Sequence, residues 1–131
     1  MVETSELAKH VEEFEASTGL KVHVHDGIGQ VYIVIDKAPL PSSRYRLDKT
    51  DVLFVGDAQY PMSALDMFWT ELEVIRQNGE IPAGADAIET YIDRQWRRFS
   101  WHRNGVWNPA GNGLLDHYEF VQARFAEDAA A

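Results

Sequence analysis

Lys21-Val22-His23-Val24-His25-Asp26-Gly27-Ile28-Gly29-Gln30-Val31-Tyr32-Ile33-Val34-Ile35-Asp36 is the stretch that decides the fold class. Val22 and Val24 alternate with Lys21, His23 and His25, which is the two-residue period of a half-buried strand. Asp26-Gly27-Ile28-Gly29 reads as a turn, and Gln30 to Asp36 follows as a second strand rich in Val and Ile. Together they predict a β-hairpin. Upstream, Leu7, Val11 and Phe14 recur at i, i+4 and i+7 and predict an amphipathic helix over 3–17, capped by Thr4 or Ser5 and ended by Gly19. Downstream, Pro39, Pro41, Ser42 and Ser43 break the pattern before a third strand, Asp51 to Val55, which Gly56-Asp57 turns.

The second half reads less regularly. Tyr60-Pro61-Met62 opens an aromatic segment through Phe68-Trp69, and a fourth short strand is expected near Glu71 to Ile75. Asp86 and Glu89 have capping-box spacing and predict a second helix with Ile88, Tyr91 and Ile92 as its buried stripe. A last helix runs from about Gly113 to Phe125 on Leu114, Leu115, Tyr118, Val121 and Phe125, and the Ala-rich residues 126–131 are expected to fray. A helix, about four antiparallel strands in a meander and then helices make an α+β fold, expected as one domain over 1–131.

Composition narrows the function. Of 131 residues, 45% are apolar and 11% aromatic, enough for a substantial core. The net charge of -9 argues against nucleic acid and favours partners with basic surfaces. The basic groupings are Arg44 with Arg46, and Arg94, Arg97, Arg98 and Arg103. No apolar run approaches the roughly 20 residues needed to span a bilayer. Val2-Glu3-Thr4-Ser5-Glu6 is not a signal peptide, so no membrane partner and a cytoplasmic location are expected. With no cysteine, disulfides, thiolate metal sites and a thiol nucleophile are ruled out. His23, His25 and Asp26 have metal-binding spacing but show no third local ligand, so no metal or cofactor is expected. His117, beside Asp116, reads as a surface histidine.

The chemistry concentrates in Phe99-Ser100-Trp101-His102-Arg103-Asn104-Gly105-Val106-Trp107-Asn108-Pro109. Ser100 is the candidate nucleophile, and a hydroxyl needs a base to act as one. His102 lies two residues on, where an extended segment brings side chains to the same side, and is the candidate general base. Trp101, Asn104, Trp107, Asn108, Arg98 and Arg103 are the candidate binding residues. The arginines suit the carboxyl-terminal tail of a partner. Each has a plainer reading: Ser100 as a turn residue, His102 bonded to a carbonyl, the tryptophans as core, the arginines as a solvated face.

Tyr60-Pro61 with its aromatic segment, then Trp107-Asn108-Pro109, then the apolar terminal helix, follow one another in an order that resembles the ubiquitin-conjugating (UBC-like) superfamily. The likeness is greatest to the bacterial group called prokaryotic family E. It implies a UBC-like fold, a ubiquitin-like protein and its activating enzyme as partners, and a ligase or protease from the same operon. It also implies antiphage defence as a setting, and the first helix as the dock for the activating enzyme. The family's catalytic cysteine precedes the Trp-x-Pro; here Ser100 stands near that place. The family's His-Pro-Asn is missing, leaving Asn104 and Asn108 as candidates for its asparagine. Two functions stay open: acyl transfer through a Ser100 oxyester with His102 assisting, and a non-catalytic adaptor that binds a ubiquitin-like protein or activating enzyme. A serine replacing an original cysteine, and an unrelated small α+β binding domain, are the remaining readings.

Overall fold

A computed structural model describes residues 5–41, 43–103, 107, 108 and 113–130. Helix α1 (Ser5–Thr18) buries Leu7 and Phe14. It stops where the Thr18 hydroxyl turns back to the Phe14 carbonyl at 2.8 Å and Gly19 takes φ +74°, a left-handed position that glycine adopts without strain.

Six strands follow: β1 (Val22–Asp26), β2 (Gln30–Pro39), β3 (Lys49–Asp57), β4 (Phe68–Thr70), β5 (Ala87–Tyr91) and β6 (Arg94–Phe99). They form one antiparallel sheet in the order β1-β2-β3-β4-β6-β5. The two-residue alternation of each strand sends Val31, Ile33, Ile35, Val52, Phe54, Phe68 and Phe99 to one face. There they meet α1 and the terminal helix α2 (Leu114–Ala130), whose Leu114, Tyr118, Val121 and Phe125 complete the core. On the opposite face Val34, Leu53, Trp69 and Trp96 make a smaller cluster shielded by Tyr32, Tyr91 and Ile92. Apolar residues on both faces explain why β2 and β3 read as near-continuous hydrophobic runs.

Three sequence expectations need correction. The helix expected from Asp86 is strand β5, paired residue for residue with β6 from Ala87↔Arg98 to Tyr91↔Arg94. The alternation Ile88, Thr90 against Glu89, Tyr91 suits a strand, and cross-strand pairing outweighs the capping-box signal. Ile88, expected in a buried stripe, is 42% exposed. Ile92 and Asp93 close this hairpin at φ +48° and +58°, the signs of a type I′ turn. The short strand expected over 71–75 lies earlier, at Phe68–Thr70; β5 and β6 bring the sheet to six strands rather than about four, and β6 rather than β5 pairs with β4, so the sheet is not a simple meander. The terminal helix continues past Phe125 to Ala130. Alanine is the best helix former, and that end is tied to the body. Arg44 donates to the Ala129 carbonyl at 2.8 Å, and Tyr45 and Arg76 donate to Asp128 at 2.6 and 2.8 Å.

Candidate functional site

Beyond β6 the chain is held by hydrogen bonds to the 83–84 turn. The Ser100 amide donates to the Gly84 carbonyl at 3.0 Å and the Trp101 indole to the Ala83 carbonyl at 2.7 Å. Trp101 turns into the core, against Phe68, Phe99 and Phe125, which leaves Ser100 half-buried and His102 outside. His102 then meets the segment before β4. Its Nδ1 lies 2.8 Å from Asp66 Oδ2, with the imidazole 62% exposed. A carboxylate there accepts from Nδ1–H, and among the described residues Nε2 has no partner.

Ala64, Leu65, Asp66, His102, Arg103 and Trp107 line a cleft of about 240 Å³. The Trp107 indole is anchored by donating to the Pro61 carbonyl at 2.8 Å, across the cis Tyr60-Pro61 bond. Arg103 ion-pairs with Asp116 of α2 and its guanidinium stands 5.2 Å over the Trp107 ring. Behind Pro61, the Tyr60 hydroxyl accepts from the Leu114 amide at the start of α2 and touches His10 Nδ1 of α1 at 2.6 Å. Burial pushes that hydroxyl's pKa up, so it stays protonated and works as a hydrogen-bonding post.

Among the described residues, Ser100 and His102 do not bond to each other. The Ser100 hydroxyl accepts from Arg98 Nε at 3.2 Å. Arg98 in turn pairs with Glu89 at 2.8 Å, and Glu89 accepts from the Trp69 indole at 2.8 Å. The serine therefore ends a Trp69–Glu89–Arg98 chain on the outer sheet face, and the base expected beside it is engaged by Asp66. The four arginines do not gather at one place. Arg94 stacks 4.2 Å over Trp96 and binds Asp51 at 2.9 Å, while Arg97 donates to the Leu72 and Ala85 carbonyls at 2.9 and 2.6 Å. Asn108 is exposed. Asn104 and Pro109 lie outside the described residues. No group of three or more metal-ligating side chains exists among the described residues, and none of their helices is long and apolar enough to cross a membrane.

Sequence reasoning missed one residue of the cleft and misplaced one behind it. Asp66, thirty-six positions before His102 in the chain, carried no local signal. His117 was expected at the surface but is 0% exposed, packed edge-on against Phe54 with ring centroids 4.6 Å apart. Its Nε2–H donates to the Met67 carbonyl at 2.8 Å, while the buried Nδ1 has no partner among the described residues. Burial lowers its pKa from 6.5 to about 4, so it is neutral at cellular pH. The signal was there to read. His117 stands three residues after Leu114 and four before Val121, on the apolar stripe of α2.

A sequence profile described as prokaryotic E2 family E matches residues 7–128. The chain belongs to that family. The match spans α1 to the last turn of α2, so the sheet, the cleft and Ser100 all fall within it, and the family is an E2-like one of prokaryotes. No curated protein and no solved structure matches the chain.

Proposed function

We propose that this E2-like chain holds a ubiquitin-like protein non-covalently at the cleft beside His102, as an adaptor in a bacterial ubiquitin-like conjugation pathway. On this reading the helix, sheet and helix form a UBC-like fold and a single domain, the protein works in the cytoplasm, and an activating enzyme and a ligase or protease from the same operon are its other partners. One observation carries the choice of adaptor over enzyme. The Ser100 hydroxyl is bonded to the Arg98 guanidinium, and the His102 imidazole is turned to Asp66. A serine without a base is a poor acyl acceptor, and the sequence offers no thiol. The cleft suits an extended carboxyl-terminal tail. Trp107 and Leu65 give it an apolar wall and His102 an exposed imidazole, while Arg103 is held to the wall by Asp116.

The reading is tested by titrating the protein with a ubiquitin-like protein from its own genome and following the affinity by calorimetry. Trp107→Ala is expected to weaken binding about tenfold or more, as loss of an aromatic anchor does, and His102→Ala by several-fold. Absence of binding by the wild-type protein, or unchanged affinity in both variants, would overturn it.

A second reading, a Ser100 oxyester, is favoured by a different feature. Ser100 is half-exposed, so its hydroxyl is within reach of an acyl donor from solvent.

A further inference from the structure

We infer that His117 is a positioning residue for the Asp66–His102 pair, acting through the backbone carbonyl of Met67. A buried imidazole whose Nδ1 has no partner among the described residues is worse for the core than a phenyl ring of similar size. What the imidazole adds is one hydrogen bond, Nε2–H to the Met67 carbonyl at 2.8 Å. Met67 stands at φ +57° between Asp66 and the first residue of β4. A non-glycine residue keeps such a backbone only where its surroundings fix it. His117 supplies that fixing contact, and the residue directly before Met67 is the one that orients His102.

The neighbouring residue does the matching work on the other wall. Asp116 ion-pairs with Arg103, which lines the same cleft. Two consecutive residues in the first turn of α2 therefore hold both sides, Asp116 through Arg103 and His117 through Met67. His117 does not line the cleft, so its effect on anything bound there is indirect.

The functional consequence rests on the reading of the cleft as the binding site; the positioning itself does not. The test is the tautomer of His102, read from long-range proton–nitrogen correlations of the imidazoles in 15N-labelled protein at pH 8. The wild type should show Nδ1–H at His102 and Nε2–H at His117. In His117→Leu, His102 should shift toward the Nε2–H form that a free imidazole prefers. In His117→Gln, whose amide can donate from nearly the same place, it should keep Nδ1–H. If His117→Leu does not fold, His117→Asn, whose amide falls short of the Met67 carbonyl, takes its place. A His102 tautomer unchanged in the Leu or Asn variant, or lost equally in a folded Gln variant, would overturn the inference. A tautomer shift in His117→Leu with unchanged affinity for the ubiquitin-like protein would uphold the positioning and count against the cleft as the binding site.

Discussion

Phe125→Ala is expected to lower the unfolding free energy by about 4 kcal/mol, the range found for removing a buried phenyl ring. Phe125 is 1% exposed and is where α2 meets the sheet. Its ring touches those of Tyr45, Phe68, Phe99 and Trp101 at centroid distances of 5.4, 5.3, 5.3 and 5.5 Å, mostly edge-on. Such aromatic pairs add to simple burial, and none of the four partners can fill the void without leaving its own contacts. Against a typical total of about 5–15 kcal/mol the loss is large. Urea denaturation followed by tryptophan fluorescence would show it as a lowered midpoint with an unchanged slope. A loss under about 1 kcal/mol would mean that α2 is not packed on the sheet as described.

The second large effect is a loss of stability between pH 6.5 and pH 4. His117 titrates at about 4 in the folded protein because burial disfavours its charged form, against 6.5 when exposed. Between those values the unfolded chain binds one more proton than the folded one, so stability falls as the pH falls. Above 6.5 the contribution is fully present, and below about 4 both states are protonated and the slope vanishes. The whole shift corresponds to about 3 kcal/mol. Asp51 responds in a different window. Its carboxyl lies below the usual value of 3.8; burial opposes this, but the hydrogen bonds from the Lys37 amide and Arg94 outweigh it. Its contribution is therefore lost only in stronger acid. Urea midpoints measured from pH 7 to pH 4 should decline in the wild type and much less in His117→Gln. Equal declines in both proteins would place the acid sensitivity elsewhere.

These two residues mark how far the sequence could be read. Phe125 was legible because Leu114, Tyr118, Val121 and Phe125 keep the helical period, and the hairpin of β1 and β2 because its alternation and its glycine turn agree. The β5–β6 hairpin was not legible. Its turn, Ile92-Asp93, lacks the Asn-Gly or Asp-Gly that marks a type I′ connection, while Asp86 and Glu89 imitate a helix start. His117 was misplaced because histidine beside aspartate suggests a wet surface, although its position on the stripe said otherwise. The site was legible in part. The stretch from Ser100 to Trp107 does contribute His102, Arg103 and Trp107 to one cleft. Of the partners that decide its chemistry, Asp66 comes from a distant segment and Arg98 from two residues back. Arg98 took the serine because it is two residues back on the same strand face, and Asp66 took the histidine across the sheet end. Both competitors for the hydroxyl, Arg98 and His102, are two residues from Ser100; what no local pattern encodes is Asp66, which draws the imidazole away.

The most direct test of the adaptor reading is an intact mass spectrum of the protein after incubation with the ubiquitin-like protein, its activating enzyme and ATP, with half of the sample treated with hydroxylamine. The predicted result is an unchanged mass for this chain, alongside a non-covalent complex that survives native spraying. A mass gain equal to one ubiquitin-like protein, removed by hydroxylamine and absent in Ser100→Ala, would contradict it and make Ser100 the acyl acceptor.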